Sequence, residues 1–253
     1  MIIKLINKAI APLGFTIKSD SNEMPIDIKQ DNFFLKLYNQ CKPYTQTSVE
    51  RLYSLYQSCN YVIDNNIEGD FVECGVWKGG SSMMIALTLL NRGVTDRKIY
   101  MYDTYEGMSE PSDFDVAING EKASNTLQVE NKLDDESIWC YASFDEVKKN
   151  ILSTGYSAEN IEMVKGKVED TLPNISPETI ALLRLDTDWY ESTKMELEYL
   201  YPKLSQKAPL IIDDFGHWEG AKKAVIEYFQ KQSFKPIFQR IDFTGRLIIK
   251  TPN

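Results

Sequence analysis

From Gly69 onward, the chain alternates short apolar runs with longer segments of helical periodicity. Five apolar runs predict strands, at residues 70–76, 98–103, 161–166, 179–186 and 208–213. Segments with a 3.6-residue apolar repeat predict helices at 81–93, 191–204 and 220–232. Gly93 has the position of a residue that ends the first of these helices. Strands that alternate with helices in this way indicate a doubly wound, mostly parallel α/β sheet of the Rossmann-like type.

Both ends of the chain depart from this alternation. Two apolar runs around residues 243–245 predict a C-terminal antiparallel hairpin that extends the sheet. Residues 1–43 are interpreted as an N-terminal helical extension and residues 44–253 as the main domain. The apolar residues that fall on one helical face at the start are Ile2, Leu5, Ile6, Ala9, Ile10 and Leu13. We expect this face to dock on the core or on a second subunit, with reversible contact with a membrane surface as the alternative.

Two further segments carry local signals. Thr47 and Glu50 have the spacing of a capping box, which predicts a helix beginning there. Residues 107–160 are long, polar and out of rhythm with the rest of the chain, and connections of that length are usually functional or disordered. We interpret this insertion as a lid over a site, and a structured insertion that serves only packing is the alternative.

Composition excludes some classes of function. A net charge of −9 disfavours a broad nucleic-acid surface, which needs clustered lysine and arginine. The four cysteines form no Cys-x-x-Cys pair, and the one histidine cannot complete a zinc site with them. We therefore expect reduced thiols in a cytoplasmic protein. No apolar run reaches the roughly 18 residues of a transmembrane helix.

Acidic residues stand at the carboxyl ends of four predicted strands. They are Glu73, Asp103, Asp186 and the pair Asp213–Asp214. Ligands of open α/β sheets bind outside these strand ends. The sequence therefore predicts one acidic site at that edge of the sheet.

The loop after the first strand reads FVECGVWKGGSS. The spacing of Gly75, Gly79 and Gly80 fits neither the dinucleotide fingerprint nor a P-loop. Glu73 would repel a pyrophosphate and suits a positive charge on the ligand, while Ser81 and Ser82 open a helix whose N–H groups can hold a carboxylate.

An ammonium and a carboxylate at one end of a ligand indicate an amino acid. Asp103 has the position of an acceptor for two ribose hydroxyls. An amino acid joined to a ribose describes S-adenosylmethionine.

Five segments together resemble the macrocin O-methyltransferase (TylF/MycF) family of sugar O-methyltransferases. They are FVECGVWKGGSS, YDTYEGM, GKVEDTLP, RLDTDWYEST and LIIDDFGHWEGA, and the resemblance runs from about residue 43 to residue 229. A looser likeness extends to catechol O-methyltransferase. The resemblance implies a class I S-adenosylmethionine-dependent methyltransferase with bound Mg²⁺, in a homo-oligomer.

The resemblance also implies roles for individual residues. Glu73 and Gly75 would lie beside the methionine part, Asp103 beside the ribose, and Val168 and Glu169 beside the adenine. The metal ligands would be Asp186, Asp213 and Asp214, with Asp186 also the general base. Mg²⁺ takes hard oxygen ligands, and a divalent ion would stabilise the adjacent carboxylates of Asp213 and Asp214.

Three neighbouring side chains are also expected to have roles at this edge of the sheet. His217 has the position either of a base or substrate contact, or of a cap on the helix that begins near Gly220. Asp188 is interpreted as a cap on the helix that begins near Glu191, with a reserve role as metal ligand. Arg184 is expected to pair with a carboxylate.

The leading hypothesis is a Mg²⁺-dependent O-methyltransferase that moves a methyl group from S-adenosylmethionine to a sugar hydroxyl by in-line displacement. A nucleotide-linked sugar, an antibiotic glycoside and a surface polysaccharide all remain open as acceptors. A catechol-type small-molecule methyltransferase is one alternative function. A non-catalytic cofactor-binding assembly subunit is another.

Overall fold

The computed structural model of the protein describes residues 24–251. The predicted apolar face between Ile2 and Leu13 lies outside the described residues. Within the described residues, three α-helices precede the first strand: α1 (Ile26–Gln30), α2 (Asn32–Cys41) and α3 (Val49–Asp64). The helical character expected of the N-terminal extension is therefore confirmed over α1 and α2.

The sheet has seven strands in the described part of the chain, in the order β3-β2-β1-β4-β5-β7-β6. They are β1 (Asp70–Cys74), β2 (Ile99–Asp103), β3 (Ile161–Lys165), β4 (Ile180–Leu185), β5 (Pro209–Ile212), β6 (Gln239–Arg240) and β7 (Arg246–Ile249). The first five are parallel, and β7 runs antiparallel to β5 and to β6. Both the parallel sheet and its C-terminal antiparallel hairpin are thus confirmed.

Helices connect the parallel strands and cover the sheet. They are α4 (Gly80–Asn91), α5 (Ala123–Val129), α6 (Phe144–Leu152), α7 (Val168–Thr171), α8 (Tyr190–Tyr199) and α9 (Glu219–Lys231). All residues of β4 and β5 are buried, as expected of central parallel strands that have apolar neighbours on both faces. The chain order reverses between β1 and β4, which places a crevice at their carboxyl ends.

The insertion at 107–160 is folded. Its helix α6 packs on α4, while α5 belongs to a second, smaller hydrophobic cluster. That cluster consists of Ala117, Ala123, Leu127, Trp189, Trp218 and Ala221. Because Trp189 and Trp218 follow β4 and β5, the insertion is packed directly against the loops at the carboxyl edge of the sheet.

The start of α3 differs from the prediction. Ser48 is the N-cap residue, and its hydroxyl accepts a hydrogen bond from the Arg51 N–H at 3.1 Å. The capping box predicted from Thr47 and Glu50 is therefore wrong. The Thr47 hydroxyl instead accepts a 2.9 Å hydrogen bond from Arg184, because the start of α3 lies at the carboxyl ends of the strands.

Among residues 24–251, none of the helices combines the length and apolar character that crossing a membrane requires. The four cysteines are free thiols, and three of them are buried.

Candidate active site

The carboxyl ends of the parallel strands surround a cavity of about 310 Å³. This volume lies at the lower end of the range of small-molecule sites, roughly 300–1,000 Å³. The predicted site residues that line it are Glu73, Gly75, Ser81, Asp103, Val168, Glu169, Asp186, Asp213, Asp214 and His217. The structure therefore brings together almost all of the predicted residues, and Ser82 lies behind the cavity wall.

The loop between β1 and α4 approaches the neighbouring strand end closely. Gly75 has a φ of +80°, and a Cβ atom there would lie 1.9 Å from the carbonyl oxygen of Asp186. Only glycine fits such a position. The N-cap of α4 is Gly79, which has no side chain to cap the helix, so the first-turn N–H groups around Ser81 face the loop without a side-chain acceptor.

Asp103 ends β2 and holds this loop in place. Its Oδ2 atom accepts hydrogen bonds from the N–H groups of Val76 at 2.7 Å and Trp77 at 3.1 Å. Its Oδ1 atom accepts from the N–H of Tyr105 at 2.7 Å. Burial raises the pKa of Asp103, and these backbone donors oppose that shift. The structure thus gives Asp103 a loop-ordering role, and its contact with a ribose stays a prediction.

Glu73 is fully buried and points toward protein partners. One carboxylate oxygen accepts from Arg184 at 2.7 Å, and the other accepts from the Ser82 hydroxyl. Burial raises the pKa of Glu73 to about 7, against the opposing effect of Arg184. Contacts of Glu73 and Ser82 with the methionine part of a ligand remain predictions.

Arg184 on β4 is the centre of a buried ion-pair network. Its Nη1 atom donates to Glu73 and Asp186 at 2.7 Å each, and its Nη2 atom donates to Asp213 at 2.6 Å. The expectation that Arg184 pairs with a carboxylate is confirmed. One guanidinium thus fixes the orientation of three carboxylates from three neighbouring strands.

Asp213 has a second cationic partner. Arg51 on α3 pairs with Asp213 through Nη1 and with Asp242, in the turn before β7, through Nε at 2.9 Å. This arrangement connects α3 and the C-terminal hairpin to the end of β5. Asp213 is therefore held between two guanidinium groups.

Three carboxylates come together in the cavity, and one of them is the Asp186 carboxylate of the ion-pair network. One oxygen each from Asp186, Asp188 and Asp214 lies within 4.8 Å of the other two. Burial raises the pKa of Asp186 to about 7 against the opposing charge of Arg184, and the charge of Asp214 adds to the rise. Burial and Asp214 raise the pKa of Asp188 well above its usual range. This excess of negative charge on hard oxygen donors fits Mg²⁺.

The cluster and the predicted ligand set share Asp186 and Asp214 and differ in the third carboxylate. Asp188 occupies that place in the structure, whereas Asp213 was expected there. The signal for Asp188 was its closeness in sequence to Asp186, just beyond the end of β4. The assignment of Asp213 as a ligand stays a prediction.

The interpretation of Asp188 as a helix cap is wrong. The N-cap of α8 is Trp189, and the N–H of Tyr190 donates at 2.8 Å to the carboxylate of Asp115 in the insertion. Asp188 has a φ of +68°, a left-handed conformation that aspartate tolerates better than most residues. With the helix capped from elsewhere, its carboxylate is available to the cluster.

The interpretation of His217 as a helix cap is also wrong. Helix α9 begins at Glu219, its N-cap is Trp218, and no side chain caps it. The imidazole lines the cavity and lies edge-on to the Trp218 ring, with 4.8 Å between ring centroids. Burial and the charge of Arg51 lower the pKa of His217, so its imidazole is neutral at neutral pH and able to accept a proton.

Two segments of the cavity wall were not predicted from sequence. Residues 44–47 come from the loop before α3, and residues 136–138 with Cys140 come from the insertion. Asp135 of the insertion connects the two segments, because its carbonyl accepts a hydrogen bond from the Gln46 side chain. Its carboxylate also pairs with Lys78 in the loop after β1. The insertion thus contributes both lining residues and packing, and its opening as a lid stays a prediction.

Comparison with known proteins identifies the family. The model of the macrocin-O-methyltransferase (TylF) family matches residues 39–249. The chain belongs to this family. It is therefore an S-adenosylmethionine-dependent O-methyltransferase, as the sequence motifs indicated.

Individual relatives agree with this membership. The demethyldecarbamoylnovobiocin O-methyltransferase of Streptomyces niveus is 32% identical over 202 residues, which cover 80% of this chain and 74% of the relative. A tetracenomycin 4'-O-methyltransferase of Streptomyces olivaceus is 31% identical with the same coverage. The solved structure of the O-methyltransferase NovP superimposes with a TM-score of 0.71 at 30% identity and covers 83% of each chain.

Proposed function

We propose that this enzyme transfers the methyl group of S-adenosylmethionine to a sugar hydroxyl, with Mg²⁺ bound at the carboxylate cluster. The observation that carries the proposal is the shared cavity of Gly75, Ser81 and Asp103 on one side and Asp186, Asp188 and Asp214 on the other. A donor site and an acidic, oxygen-rich acceptor site therefore adjoin each other. The names of two relatives support a sugar acceptor, since one methylates a rhamnosyl tetracenomycin and another mycinamicin III.

On the donor side, the first-turn N–H groups of α4 would donate to the carboxylate of the methionine part. Asp103 keeps the loop in the shape that leaves these groups open, and its carboxylate would accept from the ribose hydroxyls. Val168 and Glu169, which begin α7 on the same cavity wall, would line the adenine. Gly75 lets the loop approach the end of β4, which shortens the distance between donor and acceptor.

On the acceptor side, the reaction is an in-line displacement. The acceptor oxygen forms a bond with the methyl carbon as the carbon–sulfur bond breaks, which gives a methyl ether and S-adenosylhomocysteine. Bound Mg²⁺ would lower the pKa of the hydroxyl and orient its oxygen. Asp186 would take the proton, because Arg184 fixes its carboxylate at the edge of the cavity where the acceptor hydroxyl would bind. His217 is the second candidate for that proton or for a contact with the sugar.

The charges around the cavity bear on the kind of acceptor. Eight acidic side chains and three lysine or arginine side chains line it, the latter being Arg51, Lys167 and Arg184. All four N–H groups on the Nη atoms of Arg184 are accounted for by four acceptors, and Arg51 is paired with Asp213 and Asp242. Few cationic donors remain for a phosphate.

The helix N-termini beside β4 and β5 are also engaged. The Tyr190 N–H donates to Asp115, and the Glu219 N–H donates to the carbonyl of Val116 at 2.9 Å. Such termini are otherwise ready-made sites for phosphate groups. Among the acceptors left open by the sequence, we therefore propose a glycoside without phosphate over a nucleotide-linked sugar or an anionic polysaccharide.

A paired acceptor panel tests the proposal. The same deoxysugars are offered as methyl glycosides and as nucleoside diphosphate sugars, with catechols as a third arm, and methyl transfer from labelled S-adenosylmethionine is measured with and without EDTA. We expect turnover of glycosides that EDTA abolishes. Turnover of catechols alone would make the enzyme a catechol-type methyltransferase, and full activity in EDTA would remove Mg²⁺ from the reaction.

The donor site is tested separately by calorimetry. Asp103→Ala should weaken S-adenosylmethionine binding at least tenfold, because it removes both the loop contacts and the proposed ribose acceptor. Asp113→Asn, at an exposed position of the insertion, is the matched control. Equal affinity of the Asp103→Ala variant and the wild type would contradict the donor-site assignment.

A further inference from the structure

Asp115 is a buried carboxylate in the insertion, with 1% of its surface exposed. Its Oδ2 atom accepts hydrogen bonds from both the N–H and the hydroxyl of Ser112, each at 2.7 Å. Its Oδ1 atom accepts from the N–H of Tyr190 at 2.8 Å. These three donors satisfy the carboxylate without a cationic partner.

Through Tyr190, Asp115 caps α8 from 75 residues away in the sequence. A carboxylate at this end of a helix is favourable, since it accepts from an unpaired N–H and complements the helix dipole. The local residues do not perform this task, because Trp189 occupies the N-cap position without a side-chain hydrogen bond. The cap of α8 therefore belongs to the insertion.

The same carboxylate lies against the start of α9. A Cβ atom on Gly220 would come within 2.0 Å of Asp115 Oδ1, so glycine is what permits the contact. Two backbone hydrogen bonds lie next to this contact. Val116 accepts from the Glu219 N–H, and the Ile118 N–H donates to the carbonyl of His217, both at 2.9 Å. Asp115 thus sits between the first turns of α8 and α9.

These two first turns follow directly on the loops that carry the cavity's acidic residues and His217. The loop from β4 brings Asp186 and Asp188, and the loop from β5 brings Asp214 and His217. An edge-to-face pair of Trp189 and Trp218, with 4.9 Å between ring centroids, spans the same junction. The distance between the loops consequently depends on what holds α8 and α9 together at their N-termini.

We propose that Asp115 is a positioning residue that sets the spacing of these two loops and thereby the geometry of the carboxylate cluster. It acts through Tyr190 and Gly220 and touches no reacting atom. By capping α8, it also leaves the Asp188 carboxylate free for the cluster. The catalytic part of this inference rests on the proposed function, whereas the geometric part does not.

The variant Asp115→Asn tests the inference, with Asp113→Asn as the matched control. The amide keeps one oxygen for the Tyr190 N–H but directs an NH₂ group at the Ser112 N–H, so two donors face each other. Asp113 lies two residues earlier, and its side chain is 99% exposed. Four quantities are measured on the folded full-length proteins: the near-UV circular dichroism of the tryptophan pair, the affinity for Mn²⁺ as a probe of the cluster, kcat, and the KM for S-adenosylmethionine.

For Asp115→Asn we expect a reduced tryptophan signal, at least a tenfold weaker affinity for Mn²⁺ and at least a tenfold lower kcat, with the KM for S-adenosylmethionine within twofold of wild type. Asp113→Asn should match the wild type in all four. A folded Asp115→Asn protein with a lower Tm but unchanged tryptophan signal, Mn²⁺ affinity and kcat would overturn the proposal, because its role would then be stability alone.

Ser112→Ala provides a milder variant if Asp115→Asn fails to fold. It removes one donor to Oδ2 and keeps the carboxylate, so we expect shifts in the same direction of about two- to fivefold. Unchanged values would overturn the proposal. If the wild type neither binds Mn²⁺ nor methylates any acceptor, the proposed function fails, while the tryptophan signal still decides whether Asp115 sets the loop spacing.

Discussion

On the β1–β2 side of the cavity, many of the groups positioned for a ligand are backbone N–H groups, and on the β4–β5 side they are charged side chains. The β1–β2 side is shaped by Gly75, the open first turn of α4 and the loop contacts of Asp103. The β4–β5 side consists of carboxylates whose positions depend on Arg184, Arg51 and Asp115. The loop contacts of Asp103 on the first side span 26 and 27 positions, whereas on the second side Arg51 reaches Asp213 across 162.

The comparison explains how the two sides are expected to respond to mutation. Backbone donors keep their positions when most single side chains change, so the β1–β2 side should tolerate substitutions other than those of Gly75 and Asp103, which shape its loop. A buried network of charges fails as a unit, because removing one member leaves the others without a partner. The following predictions test this contrast.

The largest expected effect is on catalysis, from Asp186→Asn. Loss of a general base usually lowers the rate by about 10²–10⁴-fold, and this variant also removes one oxygen from the carboxylate cluster. We expect kcat to fall by about 10³-fold, while the calorimetric affinity for S-adenosylmethionine changes by less than about threefold because the β1–β2 side is intact. A kcat within tenfold of wild type would exclude Asp186 as the base, and His217→Ala would then be the variant that abolishes turnover.

The next effect is on stability, from Arg184→Met. This change leaves Glu73, Asp186 and Asp213 without their shared cation, and breaking a buried ion pair in this way costs about 3–5 kcal/mol. Denaturant unfolding measures the loss. Arg92→Met, which removes a more exposed pair with Asp64, should cost less than about 1 kcal/mol. Similar losses for the two arginines would show that the network contributes no special stability.

The affinity for metal should fall with Asp214→Asn. Asp214 belongs both to the predicted ligand set and to the cluster, so we expect a tenfold or greater rise in the Mn²⁺ dissociation constant by electron paramagnetic resonance, about 1.4 kcal/mol or more. Unchanged affinity would exclude a metal at this edge of the sheet. A comparison of Asp188→Asn with Asp213→Asn then identifies the third ligand, since the larger loss marks the residue that binds the ion.

The smallest effect should come from the contact between the insertion and the loop that follows β1. Asp135→Asn removes the ion pair between the insertion and Lys78, in which the Asp135 side chain is 68% exposed and that of Lys78 14%. Such pairs are worth up to about 1 kcal/mol, which corresponds to at most about a fivefold change. We expect S-adenosylhomocysteine to dissociate about two- to fivefold faster in stopped-flow measurements, with kcat for chemistry unchanged in a single turnover. An unchanged dissociation rate would mean that this contact does not retain the ligand.

The same contrast accounts for what the sequence predicted. The strands, the helices α3, α4, α8 and α9 and the β1–β2 side rest on local signals, namely apolar periodicity and glycine spacing, so they were predicted within a few residues. The helices α5, α6 and α7 were not predicted. Arg51 pairs with Asp213 across 162 positions, and Asp115 caps α8 across 75. No local sequence pattern indicates such partners, because they lie next to each other only in the folded chain. The errors over Thr47 and Asp188 have this origin, since each was assigned to the nearest helix end while its actual surroundings came from elsewhere. The helix-cap alternative for His217 failed for the same reason.

The close contact between Asp115 and Gly220 has a consequence for how these two positions vary among relatives. A side chain of any size at position 220 would displace the carboxylate, and a shorter residue at position 115 would leave the start of α8 uncapped. Relatives should therefore gain or lose the two residues together. For the same reason, chimaeras that exchange a segment between family members should place both of its ends between Ala123 and Tyr190, so that residues 112–123 stay with their native α8 and α9.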